Sequence, residues 1–342
     1  MMKSELRAEC RAAPKPARAE DSRGSMPRGS SSPRGTDQAR PRAAVRHWAR
    51  GFNDSTRGLL LGAVGVLMFA LSIPMTRLAG GSAAAPQLDP AFVAFGRAVV
   101  AGLLSVAYLW LTGARRPRGG EWRLLAFTAA GVVFGWPLLL GVAVRHVDAV
   151  HASVVSGVLP LATAVIAALV LKQRPSLGFW LCALVGLALV VGFAAWRGAG
   201  GLEMADALLL GAVVSASAGY VSGARLSAGL TAEQVICWVL VISLPITLPL
   251  AVLTRPTAPV AASAWGGFAY VSLFSMWIGF FAWYRGLALG GTLRVSQVQV
   301  LQPFLSMLFA VPLLGERLDA MTVVFAVAVL AVVWLGKRQP VH

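Results

Sequence analysis

The sequence predicts an all-α integral membrane protein of ten transmembrane helices, arranged as two inverted five-helix repeats. Of the 342 residues, 57% are hydrophobic and only 13% are charged, whereas a soluble domain usually carries about 25% charged residues. The apolar residues fall into runs of about 20, the length of a helix that crosses a bilayer. Strands of a membrane barrel would instead alternate polar and apolar residues over about ten positions, and these runs do not alternate.

A duplication within the chain predicts the two repeats. A shift of 143 residues places Pro160 on Pro303 without gaps, in two apolar segments that each end in charged residues. The motif LLLGAV likewise occurs at 59–64 and again at 208–213. A period this long does not fit a solenoid and suits a membrane protein built from two similar halves. Because each half holds five spans, an odd number, the halves must enter the membrane in opposite senses.

Ten apolar runs define the predicted spans. The first five form a repeat over 58–197 and the last five form a repeat over 205–338. The connections are mostly short, so consecutive spans run antiparallel and no soluble domain is inserted between them. The predicted spans are 58–79, 89–112, 122–144, 149–171, 177–196, 205–225, 233–253, 263–288, 292–314 and 320–336.

Residues 1–57 precede the first span and are rich in Arg, Ala, Ser, Pro and Gly. That composition cannot bury a hydrophobic core, so it predicts a disordered tail. The tail holds 13 of the 30 basic residues and 6 of the 14 acidic residues, a net charge of +7 within the total of +16. We interpret this charge as contact with anionic membrane lipid and expect no nucleic-acid partner. A transit peptide and a start at Met26 are alternatives, and the acidic residues argue against the first.

The orientation in the membrane follows from the basic residues of the loops. With the N-terminus inside, ten Lys and Arg residues fall on the inner side and five on the outer side. Because Lys and Arg are enriched on the cytoplasmic side of membrane proteins, this bias predicts a multi-pass protein of the inner (cytoplasmic) membrane with both termini in the cytoplasm.

The sequence resembles the drug/metabolite transporter superfamily, specifically the EamA-type transporters of ten spans. The resemblance covers about 58–338 and rests on the five-plus-five duplication, on DPAFVAFGR at Asp89–Arg97 and on LLGERL at 313–318. The first repeat departs, with Lys-Gln-Arg at 172–174 where the family commonly has Gly-Glu-Arg, which puts a role for that glutamate in doubt. The resemblance implies export or exchange of small metabolites, often amino acids or related compounds, and it does not fix the solute.

Arg97 is the first candidate for contact with a solute. It lies about eight residues into span 2, and a charge in hydrocarbon is costly unless it faces water or a partner. The alternative is that its side chain reaches back to the membrane interface. No acidic residue lies at a matching depth, so its partner could be a backbone carbonyl or a substrate carboxylate.

Span 9 is the most polar span and presents one polar face. Gln299, Gln302 and Ser306 follow the spacing i, i+3 and i+7, which places them on the same side of a helix. Polar atoms that lipid cannot satisfy should face the interior of the bundle, so we predict a central cavity lined by both repeats. Packing between helices is the alternative role. The corresponding positions of span 4 are Ser156, Leu159 and Thr163.

Prolines and aromatic residues complete the predicted site. Pro160 and Pro303 should kink spans 4 and 9, because each removes a backbone donor; a purely structural kink is the alternative. Aromatic side chains could hold an apolar part of a solute, although packing in the core or at the membrane interface is the competing interpretation. The aromatic candidates are Trp136, Tyr220, Trp277 and Tyr284.

Other classes of function receive less support. The chain has no HExxH motif, no GxSxG motif, no paired acids and no nucleotide-binding loop, so an intramembrane enzyme is not favoured. A receptor or scaffold of ten spans without a loop domain would be unusual. We expect no cofactor and no metal, and as partners a small-molecule solute and membrane lipid, with the chain a monomer or homodimer. His151 could carry a proton, but we favour a solvated loop histidine.

Overall fold

The computed structural model describes the membrane-spanning part of the chain and a short segment before it. The chain divides into two units, Met1–Arg46 and His47–His342, and apart from the start of the first helix the features below belong to the second. The predicted disorder of residues 1–40 lies outside the described residues. The described residues are 41–172, 174–198, 201–227, 229–290, 295 and 298–339.

All regular elements within the described ranges are helical, which confirms the predicted all-α membrane fold. Eight helices are long and apolar enough to cross a membrane, and two shorter apolar helices follow them. In chain order these ten helices are numbered spans 1 to 10: Thr56–Gly80, Pro90–Leu111, Gly119–Ala143, Ala149–Val170, Leu177–Arg197, Met204–Leu226, Glu233–Leu253, Ala262–Leu287, Val298–Leu314 and Ala320–Gly336.

The helix bounds differ from the predicted ones at two places. The helix that contains span 1 begins at Pro41, so the segment 41–57 is helical although its composition predicts disorder. Proline suits the first turn of a helix, and the Ala and Arg residues after it favour the helical state. The predicted start of span 9 lies outside the described residues, because its helical structure is described continuously only from Val298.

Several spans are divided into shorter pieces. The helices are Pro41–Ala70, Ser72–Gly80, Pro90–Leu111, Gly119–Ala129, Trp136–Ala143, Ala149–Ser156, Leu159–Val170, Leu177–Arg197, Met204–Leu226, Ala232–Leu253, Ala262–Tyr270, Gly279–Gly290, Gln302–Leu314 and Ala320–Lys337. A π-helical segment interrupts span 3 at Ala130–Gly135 and another interrupts span 8 at Val271–Ile278, and span 9 opens with a 3-10 turn at Val298–Leu301.

The packing of the spans has the symmetry of the two repeats. Span 3 packs on span 6 as span 8 packs on span 1, and span 4 packs on span 6 as span 9 packs on span 1. The pairs formed by spans 2 and 7, 4 and 9, and 5 and 10 each join a span to its own counterpart. The two π-helical segments also occupy corresponding positions. Exchanging the repeats therefore maps these helix contacts onto one another.

Contacts between loops show which connections share an end of the bundle. The Ala83 N–H donates to the carbonyl of Arg145 at 2.8 Å, which joins the connections after spans 1 and 3. Arg197, at the end of span 5, forms ion pairs of 3.2 Å with both Asp148 and Asp319. These two acids belong to the connections after spans 3 and 9. We call this end of the bundle, where the connections after odd-numbered spans meet, the odd-loop end.

The opposite end carries the connections after even-numbered spans, and we call it the even-loop end. There the Arg115 Nε donates to the carbonyl of Gly229 at 3.1 Å, which joins the connections after spans 2 and 6. The connection after span 9 therefore lies at one end and its counterpart after span 4 at the other. This is the arrangement that an inverted repeat requires.

Close approach of spans 1 and 8 depends on glycine, and it gives a first testable prediction. A Cβ atom added to Gly286 of span 8 would lie 2.6 Å from the backbone nitrogen of Gly62 in span 1. Small residues allow helices in membranes to pack this closely. We expect Gly286→Ala to lower the stability of the protein by about 1–3 kcal/mol, because overpacking forces the helices apart. Thermal unfolding in detergent would measure the loss.

Gly192 of span 5 is the matched control for this substitution. A Cβ atom there would meet no heavy atom within 4 Å, and alanine is favoured over glycine inside a helix by roughly 0.5–1 kcal/mol. Gly192→Ala should therefore leave the unfolding temperature unchanged or raise it slightly. Equal unfolding temperatures for the two variants would show that spans 1 and 8 tolerate a side chain at their contact.

Candidate functional site

A polar cavity lies between the two repeats. Its volume of about 60 Å³ is several times the roughly 10–15 Å³ that one water molecule needs, so the cavity can hold water and a small group. Nine of the residues that line it have polar side chains: Ser72, Arg97, Ser153, Ser156, Tyr220, Ser275, Gln299, Gln302 and Ser306. The others are Phe69, Ile73, Val132, Trp136, Leu159, Pro160, Met276, Phe280 and Pro303.

The broken helices of spans 4 and 9 position the centre of this cavity. In span 4 the half-helix Ala149–Ser156 ends, and a second helix begins at Leu159 with Pro160 in its first turn. Span 9 repeats the pattern with a short 3-10 turn before a helix that has Pro303 in its first turn. Both prolines lie in the cavity wall. The two helices are thus interrupted where the sequence predicts kinks.

Arg97 contributes the charge of the cavity. Its side chain is buried, with a relative exposure of 3%, and it faces the cavity rather than the membrane interface. One terminal nitrogen, Nη2, donates to the Ser275 Oγ at 3.0 Å and approaches the Met276 Sδ at 3.5 Å. The Ser72 hydroxyl in turn donates to the Ser275 Oγ at 2.7 Å. The Arg97 Nε is buried without a hydrogen-bond partner.

The remaining polar side chains come from both repeats. The Ser153 hydroxyl donates to the carbonyl of Ala149 at 2.6 Å, whereas the Ser156 Oγ is buried without a partner. The Ser306 hydroxyl donates to the carbonyl of Ala70 and so joins spans 9 and 1. The predicted polar face of span 9 and its counterpart in span 4 therefore meet at one cavity.

Three of the predicted residues lie away from the cavity wall. The Thr163 hydroxyl bonds to the Ser217 Oγ at 3.1 Å and holds span 4 against span 6. Trp277 packs on Phe281, with 4.9 Å between the ring centroids, and its indole nitrogen is buried without a partner. Tyr284 lines a smaller neighbouring void of about 10 Å³. These side chains belong to the packing between helices in this structure.

Sequence reasoning missed several residues that the structure brings to the cavity. Ser72 and Ser275 come from spans 1 and 8, and each is an isolated small polar residue in an apolar run. Met276 also lines the cavity although it does not stand out in the sequence, and Phe280, one of the aromatic residues of span 8, lines it too. Ser275 and Met276 are identified by their contact with Arg97, and Ser72 by its hydrogen bond to Ser275, and only the folded bundle shows these contacts.

A buried hydrogen-bonded pair of His151 and Asp206 joins the repeats at the odd-loop end. The His151 Nε2 of span 4 lies 2.7 Å from the Asp206 Oδ1 of span 6, and the exposures of the two side chains are only 5% and 4%. The interpretation of His151 as a solvated loop residue is therefore wrong. Its half-helix packs inward, and the histidine ring lies against Phe193 with 5.0 Å between ring centroids. The second oxygen of Asp206 accepts the Glu203 N–H at 2.9 Å.

Glu316 makes a second contact between the repeats at this end. Its carboxylate oxygens accept the backbone N–H groups of Ala149 and Val150, each at 2.8 Å. These donors are the unpaired N–H groups that open the half-helix of span 4, where a negative charge is favoured. Burial raises the pKa of the Glu316 carboxyl, and the two N–H donors only partly oppose that shift. The motif LLGERL of the second repeat thus ends span 9 and caps span 4 of the first.

Comparisons with known proteins agree with this architecture. The model of the EamA-like transporter family matches residues 56–194 and 203–336. A Bacillus subtilis (strain 168) protein described as the uncharacterized transporter YdeK is 42% identical over 288 residues, which cover 84% of this chain and 99% of the relative. A solved crystal structure is similar, with a TM-score of 0.56 and 18% sequence identity, and the match covers 82% of this chain and 98% of the solved chain. This likeness concerns the fold alone.

Proposed function

The chain belongs to the EamA-like transporter family, and from this premise we propose that it is a secondary transporter of a small metabolite. In this proposal it exports or exchanges an amino acid or a related compound across the cytoplasmic membrane, with both termini in the cytoplasm. The observation that carries the proposal is the polar cavity at the junction of the two repeats, flanked by broken helices from both. Solute sites of transporters with inverted repeats occupy this position.

In a mechanism of alternating access, the contacts between the repeats at each end of the bundle would close the cavity on that side. At the odd-loop end the repeats are joined by the pair of His151 and Asp206 and by Glu316. At the even-loop end they are joined by Arg115 and Gly229. Release of one set of contacts while the other is kept would expose the cavity to one side of the membrane at a time. With the predicted orientation, the odd-loop end faces the outside.

Uptake by vesicles tests the proposal. The purified protein would be reconstituted into liposomes and supplied with a panel of labelled amino acids and related metabolites, in both orientations. We expect at least one solute to cross faster than in empty liposomes and to exchange with the same unlabelled solute inside. If no solute on the panel crosses faster than in empty liposomes, the enzyme or receptor interpretation gains over transport.

Gln302 provides a prediction for the solute that the panel identifies. Its side chain lines the cavity, and we expect Gln302→Leu to lower the rate of transport by about tenfold, because it removes a hydrogen-bonding group that a bound solute would use. Insertion into the membrane should be unchanged, since leucine is favoured in a span. Initial rates of uptake, corrected for the amount of inserted protein, would measure the effect.

Thr247→Val is the control for this prediction. Thr247 is buried in span 7, bonds to the carbonyl of Ser243 at 3.1 Å and does not line the cavity. This substitution should leave the transport rate close to that of the unchanged chain. Transport that survives Gln302→Leu would mean that the polar face of span 9 serves the packing of the helices.

A further inference from the structure

We propose that Arg97 and Ser275 form a binding site for a carboxylate, and that the solute therefore carries one carboxylate group. The identification of the bound molecule as the solute rests on the proposed function. The carboxylate site itself rests on the charge and the hydrogen bonds of the cavity.

The charge of Arg97 has no counter-charge among the described residues. Its contacts in the described part of the chain are the neutral Ser275 and Met276, and none of the ion pairs formed there includes it. The described residues of the cavity wall also include no acid. A buried charge within a membrane is costly and is normally paired or in contact with water. The partner is therefore expected to come from outside the chain.

Arg97 and Ser275, which line the cavity, carry hydrogen-bond donors that a bound group could use. The Ser275 Oγ accepts a hydrogen bond from Arg97 at 3.0 Å. The Ser72 hydroxyl has two acceptors, the Ser275 Oγ at 2.7 Å and the Met68 carbonyl at 3.4 Å; when it donates to the nearer one, the Ser275 hydrogen is left for a third group. The Arg97 Nε is a further donor, buried and without a partner. A carboxylate accepts through two oxygens and pairs well with a guanidinium. The cavity thus offers a cation and a hydroxyl donor to one anionic group.

Within the described spans, the second repeat does not reproduce this site at the symmetry-related position. When the helix starts at Pro90 and Ala232 are aligned, Arg97 of span 2 corresponds to Val239 of span 7. When the helix starts at Gly119 and Ala262 are aligned in the same way, Ser275 of span 8 corresponds to Val132 of span 3. The carboxylate is therefore bound by spans 2 and 8, and the rest of the solute meets the apolar wall that span 3 provides. This asymmetry gives the bound solute a single orientation.

The experiment reads the Arg97 guanidinium directly, using acetate as the probe. The purified full chain, labelled with ¹⁵N in detergent, would be titrated with acetate while the Nε–H resonance of Arg97 is followed, with Arg97→Lys used to assign that resonance. We expect a saturable shift with acetate and none with acetamide, which has the same size but no charge. A shift that is absent, that does not saturate or that acetamide reproduces would overturn the site.

Two serines of span 8 supply matched variants. Ser275→Ala removes the hydroxyl donor and should weaken acetate binding by about tenfold, as expected for the loss of a hydrogen bond to a charged group. Ser272→Ala is the control, because Ser272 is also buried, donates to the carbonyl of Phe268 at 2.7 Å and does not line the cavity. Equal affinity for acetate in the two variants would show that Ser275 does not bind the carboxylate.

The outcome for the solute is separate from the outcome for the proposed function. Transport of a carboxylate-bearing solute that is lost in Arg97→Lys, together with acetate binding, supports both. Acetate binding by a chain that moves no solute in vesicles would contradict the transport proposal and keep the carboxylate site. Transport of a solute without a carboxylate, unchanged in Arg97→Lys, would keep the transport proposal and overturn the carboxylate inference.

Discussion

Asp206→Leu should lower the free energy of unfolding by about 2–5 kcal/mol, because two groups that hydrogen-bond to Asp206 lose their partner, at a cost of roughly 1–3 kcal/mol each. Asp206 and His151 are almost completely buried and 2.7 Å apart. Without the carboxylate, the His151 Nε2 is left in the bundle with its partner gone. The Glu203 N–H also loses its acceptor. Unfolding by a denaturing detergent, followed by circular dichroism, would measure the change.

A double substitution separates the stability contributed by the contact between His151 and Asp206 from the effects of removing each residue alone. The double variant His151→Leu with Asp206→Leu removes both polar groups. Replacing a buried pair by apolar residues is often neutral or stabilising compared with the intact pair, whereas removing only one partner is destabilising. We expect the double variant to be more stable than Asp206→Leu alone. Asp89→Ala is the control for the loss of an exposed acid, which accepts the Ala91 N–H at 2.7 Å, and should cost about 1 kcal/mol. Strictly additive effects of the two leucine substitutions would show that the pair is not coupled.

The spans could be predicted from the sequence because lipid imposes a simple constraint. Each helix must present about 20 apolar residues to hydrocarbon, and this pattern identifies all ten spans even though two are described as shorter helices. The break points of spans 4 and 9 were also predictable, since proline removes a backbone donor, although Pro245 and Pro249 lie inside the continuous helix Ala232–Leu253. Pro160 and Pro303 accordingly begin new helices in spans 4 and 9.

The pairing of polar residues could not be predicted, because it depends on contacts distant in sequence. His151 and Asp206 are 55 positions apart, and Arg97 and Ser275 are 178 positions apart. From the sequence alone, acidic residues and histidines near the ends of spans are expected to be exposed to water. Thr163 shows the opposite error, since helical spacing places it on the polar face while its hydroxyl is bonded to span 6.

Glu316→Ala should open the odd-loop end and raise the reactivity of a cysteine in the cavity by more than tenfold. The substitution removes the charged acceptor of two hydrogen bonds, which the backbone N–H groups of Ala149 and Val150 donate to Glu316. Such hydrogen bonds contribute roughly 1.5–3 kcal/mol each, and about 1.4 kcal/mol changes an equilibrium tenfold. The half-helix of span 4 that they hold carries Ser156 into the cavity wall.

Ser156→Cys, in a chain whose native cysteines are replaced by alanine, reports this opening. A charged thiol reagent that cannot cross the membrane would be added on the odd-loop side, and the rate of labelling compared with and without Glu316→Ala. Arg317→Ala is the control, since it removes an exposed charge from the adjacent position and should leave the rate unchanged. The native cysteines are Cys10, Cys182 and Cys237.

Labelling from the other side decides whether Glu316 controls one end or merely stabilises the bundle. Alternating access requires that a chain biased toward opening at the odd-loop end expose its cavity less at the even-loop end. Reagent added on the even-loop side should therefore label the Glu316→Ala chain more slowly than the unchanged chain. Faster labelling from both sides would mean that the substitution loosens the packing, and the role of Glu316 as a contact that closes one end would be wrong.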